Sequence, residues 1–390
     1  MTMPPPGPFG QQPPHGGPGG GSPELWPQYP GGPTPPPPAG PPPPWGPQQH
    51  WPNGPTPPNR GGGGKAKWIL GGVAVVLAVA LAVVVTVLVV RPDKGTEPPT
   101  DGNQGSESKF ASAGDLGPAT IITDDPTCNA WGFISRELAA AEESVEWANR
   151  DYTKPATSWT PSERQMYESV GKAMSTAAEN TAKLSEQTPH RVMRELYDQF
   201  IAYATLFAKR VPSYDVKDDD FAAVADGISS ALGRICTAVA LNAASAVGPL
   251  LSEPEGPSAE LRLSTDDSTQ RFIENENAVC DDWESNAKQF AARVESWQAM
   301  DPNIPSTDWT SEQRSVVDDV RPVMSANADE LERLGRQSHN PTFEDFAILA
   351  AQYRRAFVTA LPSYTPADSS LSATSTYLVN SVLWACKAAS

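Results

Sequence analysis

From Cys128 onward, apolar side chains recur every three or four positions, the spacing of helices with one buried face. Polar breaks divide this pattern into four segments, and the set of four occurs twice. The first segment covers residues 131–152 and stops at Lys154 and Pro155. The second opens on Thr160, Pro161, Ser162 and Glu163: Thr caps a free backbone amide, Pro fits the first helical position and Glu returns the bond. Thr310 and Gln313 repeat that logic. The third begins at Thr188 and Pro189 and places Met193, Leu196, Phe200, Tyr203 and Phe207 on one stripe. Its twin begins at Asn340 and Pro341 with Phe343, Phe346, Leu349, Tyr353 and Phe357. Last helices are expected at about 219–239 and 369–388.

Written against itself, this region matches at a fixed shift. At 152 residues Cys128 and Trp131 fall on Cys280 and Trp283; after a two-residue gap, at 150, Trp147, Trp159 and Thr160 fall on Trp297, Trp309 and Thr310. The same shift carries Met174 and Ser175 onto Met324 and Ser325, the run Pro212, Ser213, Tyr214 onto Pro362, Ser363, Tyr364, and Cys236 onto Cys386. Chance does not place so many Cys, Trp and Tyr in one register, so the sequence reads as two copies of one module.

Upstream the pattern changes. Residues 68–90, opening on Trp68 and closing on Val90, form an uncharged run of Val, Ala, Leu, Ile and Gly with one Thr and one Trp. At about 1.5 Å per residue a helix of that length crosses a hydrocarbon core of about 30 Å, so the lipid bilayer is its expected partner. The apolar part of a cleaved signal peptide is shorter and sits nearer the start of a chain. Residues 1–64 hold 24 Pro and 16 Gly with almost no charge, the composition of a disordered tail with polyproline II stretches. The fold class expected is therefore all-α: a disordered Pro/Gly-rich tail at 1–64, one transmembrane helix at 68–90, a flexible stalk at 91–126, helical module 127–246, a linker at 247–267 and helical module 268–390.

Charge and cysteine then orient the chain. Arg60, Lys65 and Lys67 precede the apolar run, against Arg91 and Lys94 just after it, a basic bias that puts the amino terminus in the cytoplasm. All four cysteines, Cys128, Cys236, Cys280 and Cys386, follow the run, as expected of disulfides in an oxidising compartment. Four cysteines allow three connectivities, and the repeat selects Cys128 with Cys236 and Cys280 with Cys386. The chain carries a net charge of −17, nearly all its acids after the apolar run, which repels phosphate backbones and excludes nucleic acid as a partner.

Candidate chemistry is sparse. The four histidines, His15, His50, His190 and His339, form no metal-ligand spacing, and no Gly-x-Ser-x-Gly elbow, phosphate-binding Gly loop or His-Glu-x-x-His occurs. No catalytic residue, metal or cofactor is expected. Trp131, Trp159, Trp283 and Trp309 are the candidate lining of a ligand groove, with shared core as the plainer reading. Ala74, Ala78 and Ala82 form a small-residue stripe, and Pro35 to Pro38 and Pro41 to Pro44 give PxxP-like docking stretches.

A Pro/Gly-rich tail, an Ala/Val-rich span and a Cys-paired outer domain together resemble the proline-rich single-pass membrane proteins of mycobacteria and related actinobacteria. That resemblance rests on organisation and carries over no functional residue. The expectation is a non-enzymatic cell-envelope membrane protein. Its tandem outer domain would bind an envelope protein, lipid or cell-wall ligand, and its tail a cytoplasmic partner. A transmembrane receptor is the alternative from another class, and an envelope hydrolase the one the motifs disfavour.

Overall fold

The computed structural model describes residues 109–257 and 270–390. The tail at 1–64, the apolar run at 68–90 with its Ala stripe, and the first part of the stalk lie outside the described residues, as do residues 258–269 of the linker and the start of the second module. Among the described residues the fold is all helical, without strands.

In these residues ten α-helices follow one another: α1 Cys128–Ser144, α2 Pro161–Gln187, α3 Arg191–Arg210, α4 Asp219–Ala240, α5 Ala243–Val247, α6 Cys280–Arg293, α7 Glu295–Gln298, α8 Ser311–Gln337, α9 Pro341–Ala360 and α10 Ser369–Ala388. Helices α2 and α8 are each 27 residues long, and each starts with a full capping box, Thr160 with Glu163 and Thr310 with Gln313. A short 3-10 turn at Val211–Ser213 or Leu361–Ser363 ends the third helix of each set, and the backbone amides of Ala156 and Ser306 donate to the carbonyls of Tyr214 and Tyr364.

Helices α1 to α4 pack as one group and α6, α8, α9 and α10 as another. The two groups meet along α4 and α10, and one continuous core runs through both. Gly227 permits that approach: a Cβ there would lie 2.8 Å from Ser381 Oγ. The segment Val216–Ala240 is long and apolar enough to cross a membrane by composition, but half of it is buried inside the protein and Cys236 is disulfide-bonded to α1, as befits a core helix.

Three expectations shift. The first helix ends at Ser144, not near residue 152, because Glu146 adopts a left-handed backbone (φ 54°) and a 3-10 turn then swings Trp147 into the core. In the first half the third helix starts at Arg191, past Pro189. Its free amide is met by Asp115 Oδ2 at 2.7 Å, while the Thr188 hydroxyl donates to Asp125 Oδ2 at 2.5 Å. The stalk expected to reach residue 126 stops earlier, since Ala119, Ile121 and Ile122 are buried in the core.

Candidate functional site

The cysteines pair as Cys128–Cys236 and Cys280–Cys386, each bond tying the first helix of a group to its last. The four tryptophans lie in the core. Trp131 and Trp283 are fully buried, Trp131 against Tyr197 and Phe200, Trp283 against Phe343 with its indole N–H donating to the Val379 carbonyl. Trp159 stacks on Tyr167 at 4.0 Å and Trp309 on Tyr364 at 5.6 Å. Their indoles donate to the carbonyls of Lys154 and Ile304. Each of these rings thus packs against its own Tyr or Phe neighbours in the core.

Two polar sites sit where the sequence pattern shows only helix faces. The first belongs to the first half. Arg150 lies over the Trp147 ring at 3.8 Å and forms an ion pair with Asp219 at 2.8 Å, and Glu142 on α1 faces Asp226 on α4. Burial, then the Asp226 charge, push Glu142 up to about 9, and burial lifts Asp226 to about 6. The same register puts Val294, Met300, Ser369 and Thr376 at these four positions in the second half. The helical fold of one half therefore does not itself require the cluster.

The second site belongs to the second half. A cleft of about 320 Å³ opens between α6 and α8, lined among others by Asn286, Gln289, Phe290 and Asn327. Asn327 is 7% exposed; its Nδ2 donates to Asn286 Oδ1 at 3.3 Å, while Asn327 Oδ1 and Asn286 Nδ2 are buried without partners. Behind Phe290 sits Arg354, its guanidinium 4.2 Å from the ring centre, 2% exposed, with Nε and Nη1 unpartnered. Burial lowers Arg354 to about 9, which keeps it charged at neutral pH. Among the described residues no cluster of His, Cys, Asp and Glu could hold a metal ion.

Reading each helix alone misses both sites, because each is assembled from two helices distant in sequence. The available signal is a difference between positions that the sequence's match to itself sets against one another. The register sets Asn286, Phe290, Asn327 and Arg354 opposite Ile134, Leu138, Ala177 and Ala204; Leu138, Ala177 and Ala204 belong to the core of the first half and Ile134, partly buried, packs against it.

A family model described as Mycobacterial ESX-1 associated protein matches residues 110–390, beginning where the described fold begins. An uncharacterized protein of Mycolicibacterium smegmatis (strain MKD8) is 43% identical over 346 residues, covering 88% of this chain and 91% of the relative. Fewer than fifty of the 390 residues lie outside that alignment, so it runs through the apolar segment at 68–90. No solved structure matches.

Proposed function

Because the chain belongs to the Mycobacterial ESX-1 associated protein family, we propose that it is a non-enzymatic, membrane-anchored binding module serving that secretion system from the outer face of the cell membrane. In this reading residues 68–90 span the bilayer, the Pro-rich tail recruits a cytoplasmic partner, and the two helical groups are duplicated copies that present one rigid surface to an envelope protein or ligand.

One observation carries the reading: the family match coincides with a domain whose two halves are each closed by a disulfide. Disulfides persist in oxidising compartments, and the chain has a segment able to place the domain in one. The domain's acidity supports a protein or wall partner over nucleic acid.

The test is photo-crosslinking in living cells from exposed positions such as Phe133, which is 64% exposed, comparing the full chain with a version lacking residues 2–59. Capture of secretion-system components that survives loss of the tail supports an outer binding module. Their loss along with the tail assigns recruitment to the cytoplasmic side and overturns it.

A further inference from the structure

We propose that the cleft between α6 and α8 binds a neutral carbohydrate, held through its hydroxyl groups by Asn286 and Asn327 with Gln289 at the rim. The inference deepens the proposed binding module by naming the ligand class of one site.

A buried amide oxygen or nitrogen without a partner is destabilising, and Asn327 Oδ1 and Asn286 Nδ2 are two such atoms, on side chains 41 residues apart in sequence that touch through the Asn327 Nδ2–Asn286 Oδ1 bond. The first half shows that the module needs neither, since its positions hold Ala177, in the apolar core, and Ile134, packed against it. Rotation about the last side-chain torsion of Asn is soft, so both amides turn toward the cleft when a partner arrives. The two atoms offer an N–H donor and a carbonyl acceptor, and hydroxyl groups, which both accept and donate, satisfy either.

The lining selects among ligands. Its charges cancel, Asp282 and Glu330 against Arg293 and Arg333, and Arg333 is already paired with Glu330 at 2.5 Å, which disfavours an ionic ligand. Arg354 is separated from the cleft by the Phe290 ring, whose face accommodates its charge. Peptide recognition needs apolar pockets for anchor side chains, and here the aliphatic lining amounts to Val323 and Ala326. One aromatic wall and several amides in a cleft of about 320 Å³ suit a sugar ring with apolar and hydroxyl faces.

The full-length protein in phosphatidylcholine nanodiscs, free of sugar-based detergent, is titrated with a β-1,4-glucose oligomer, an arabinan and a galactan by calorimetry and saturation-transfer NMR. Binding of at least one glycan is expected, weakened tenfold or more in the double variant Asn286→Ile, Asn327→Ala, which installs the residues of the first half. Gln289→Ala, at an exposed position, is expected to weaken it about threefold and guards against misfolding of the double variant. Absence of binding by all three glycans, or equal binding by the variants, overturns the proposal. Loss of a crosslinked protein in the double variant without any glycan binding overturns it too, and leaves the binding-module reading standing.

Discussion

Replacing Arg191 by Met tests how the two helical groups are joined. Arg191 on α3 grips Asp345 on α9 with two hydrogen bonds of 2.8 Å, both side chains almost wholly buried. Its Nη1 donates to the carbonyls of Asp115 and Gly117 at 3.1 and 2.7 Å, and Glu195 lies 3.9 Å away. Burial and the Asp345 charge already hold Glu195 well above the ordinary carboxylate range. Without Arg191, Asp345 becomes a buried charge beside a second acid, and two carbonyls lose their donor. Breaking a buried pair on one side costs about 3 to 5 kcal/mol, a large part of the 5 to 15 kcal/mol that holds a typical domain folded. Urea unfolding of the full-length protein, followed by tryptophan fluorescence with disulfides intact, should show that loss for Arg191→Met. The double variant Arg191→Met, Asp345→Leu should recover most of it, since an apolar pair of similar volume removes the uncompensated charge. A single variant that loses less than about 1 kcal/mol, or a double variant no better than the single, would refute this reasoning.

Removing the Cys128–Cys236 bond, which spans 108 residues, should lower stability by about 4 to 5 kcal/mol in the chain-entropy model, read from the same urea midpoints with Cys128→Ser, Cys236→Ser. Stability should fall as pH rises from about 4.5 towards about 9, because Glu142 keeps its proton in the folded protein over a range where the unfolded chain has lost it. The slope from one such proton is at most about 1.4 kcal/mol per pH unit, and Glu142→Gln should flatten it in a pH series of melting curves. Gly335→Val should destabilise by roughly 1 to 3 kcal/mol through overpacking, since even a Cβ at this site would sit 2.5 Å from that of Ala347; thermal unfolding checks it.

Helix starts with local chemical signatures were legible. Thr160, Thr310 and Asn340 all cap the helices they announce, and the aromatic stripes of α3 and α9 are buried as their spacing implies. The cysteine pairing followed from the repeat register. What escaped depended on contacts between distant segments. The end of α1 turns on the left-handed backbone of Glu146, for which its sequence carries no Gly or Asn signal. Ala119, Ile121 and Ile122 join the core in a stretch with too few apolar side chains to show periodicity. The acid pair and the amide cleft each need two helices to form. Only the contrast between halves, Val294 for Glu142 or Ile134 for Asn286, marks them in sequence.

The central claim, an anchored module whose disulfide-closed domain faces outward, is tested most directly in intact cells. Thiols are alkylated before lysis, unreduced digests are searched for the linked Cys128–Cys236 and Cys280–Cys386 peptides, and protease is added to unbroken spheroplasts. The account predicts both linked peptides and external cleavage of the domain with the Pro-rich tail protected. Four alkylated cysteines in a domain that protease cannot reach would contradict it.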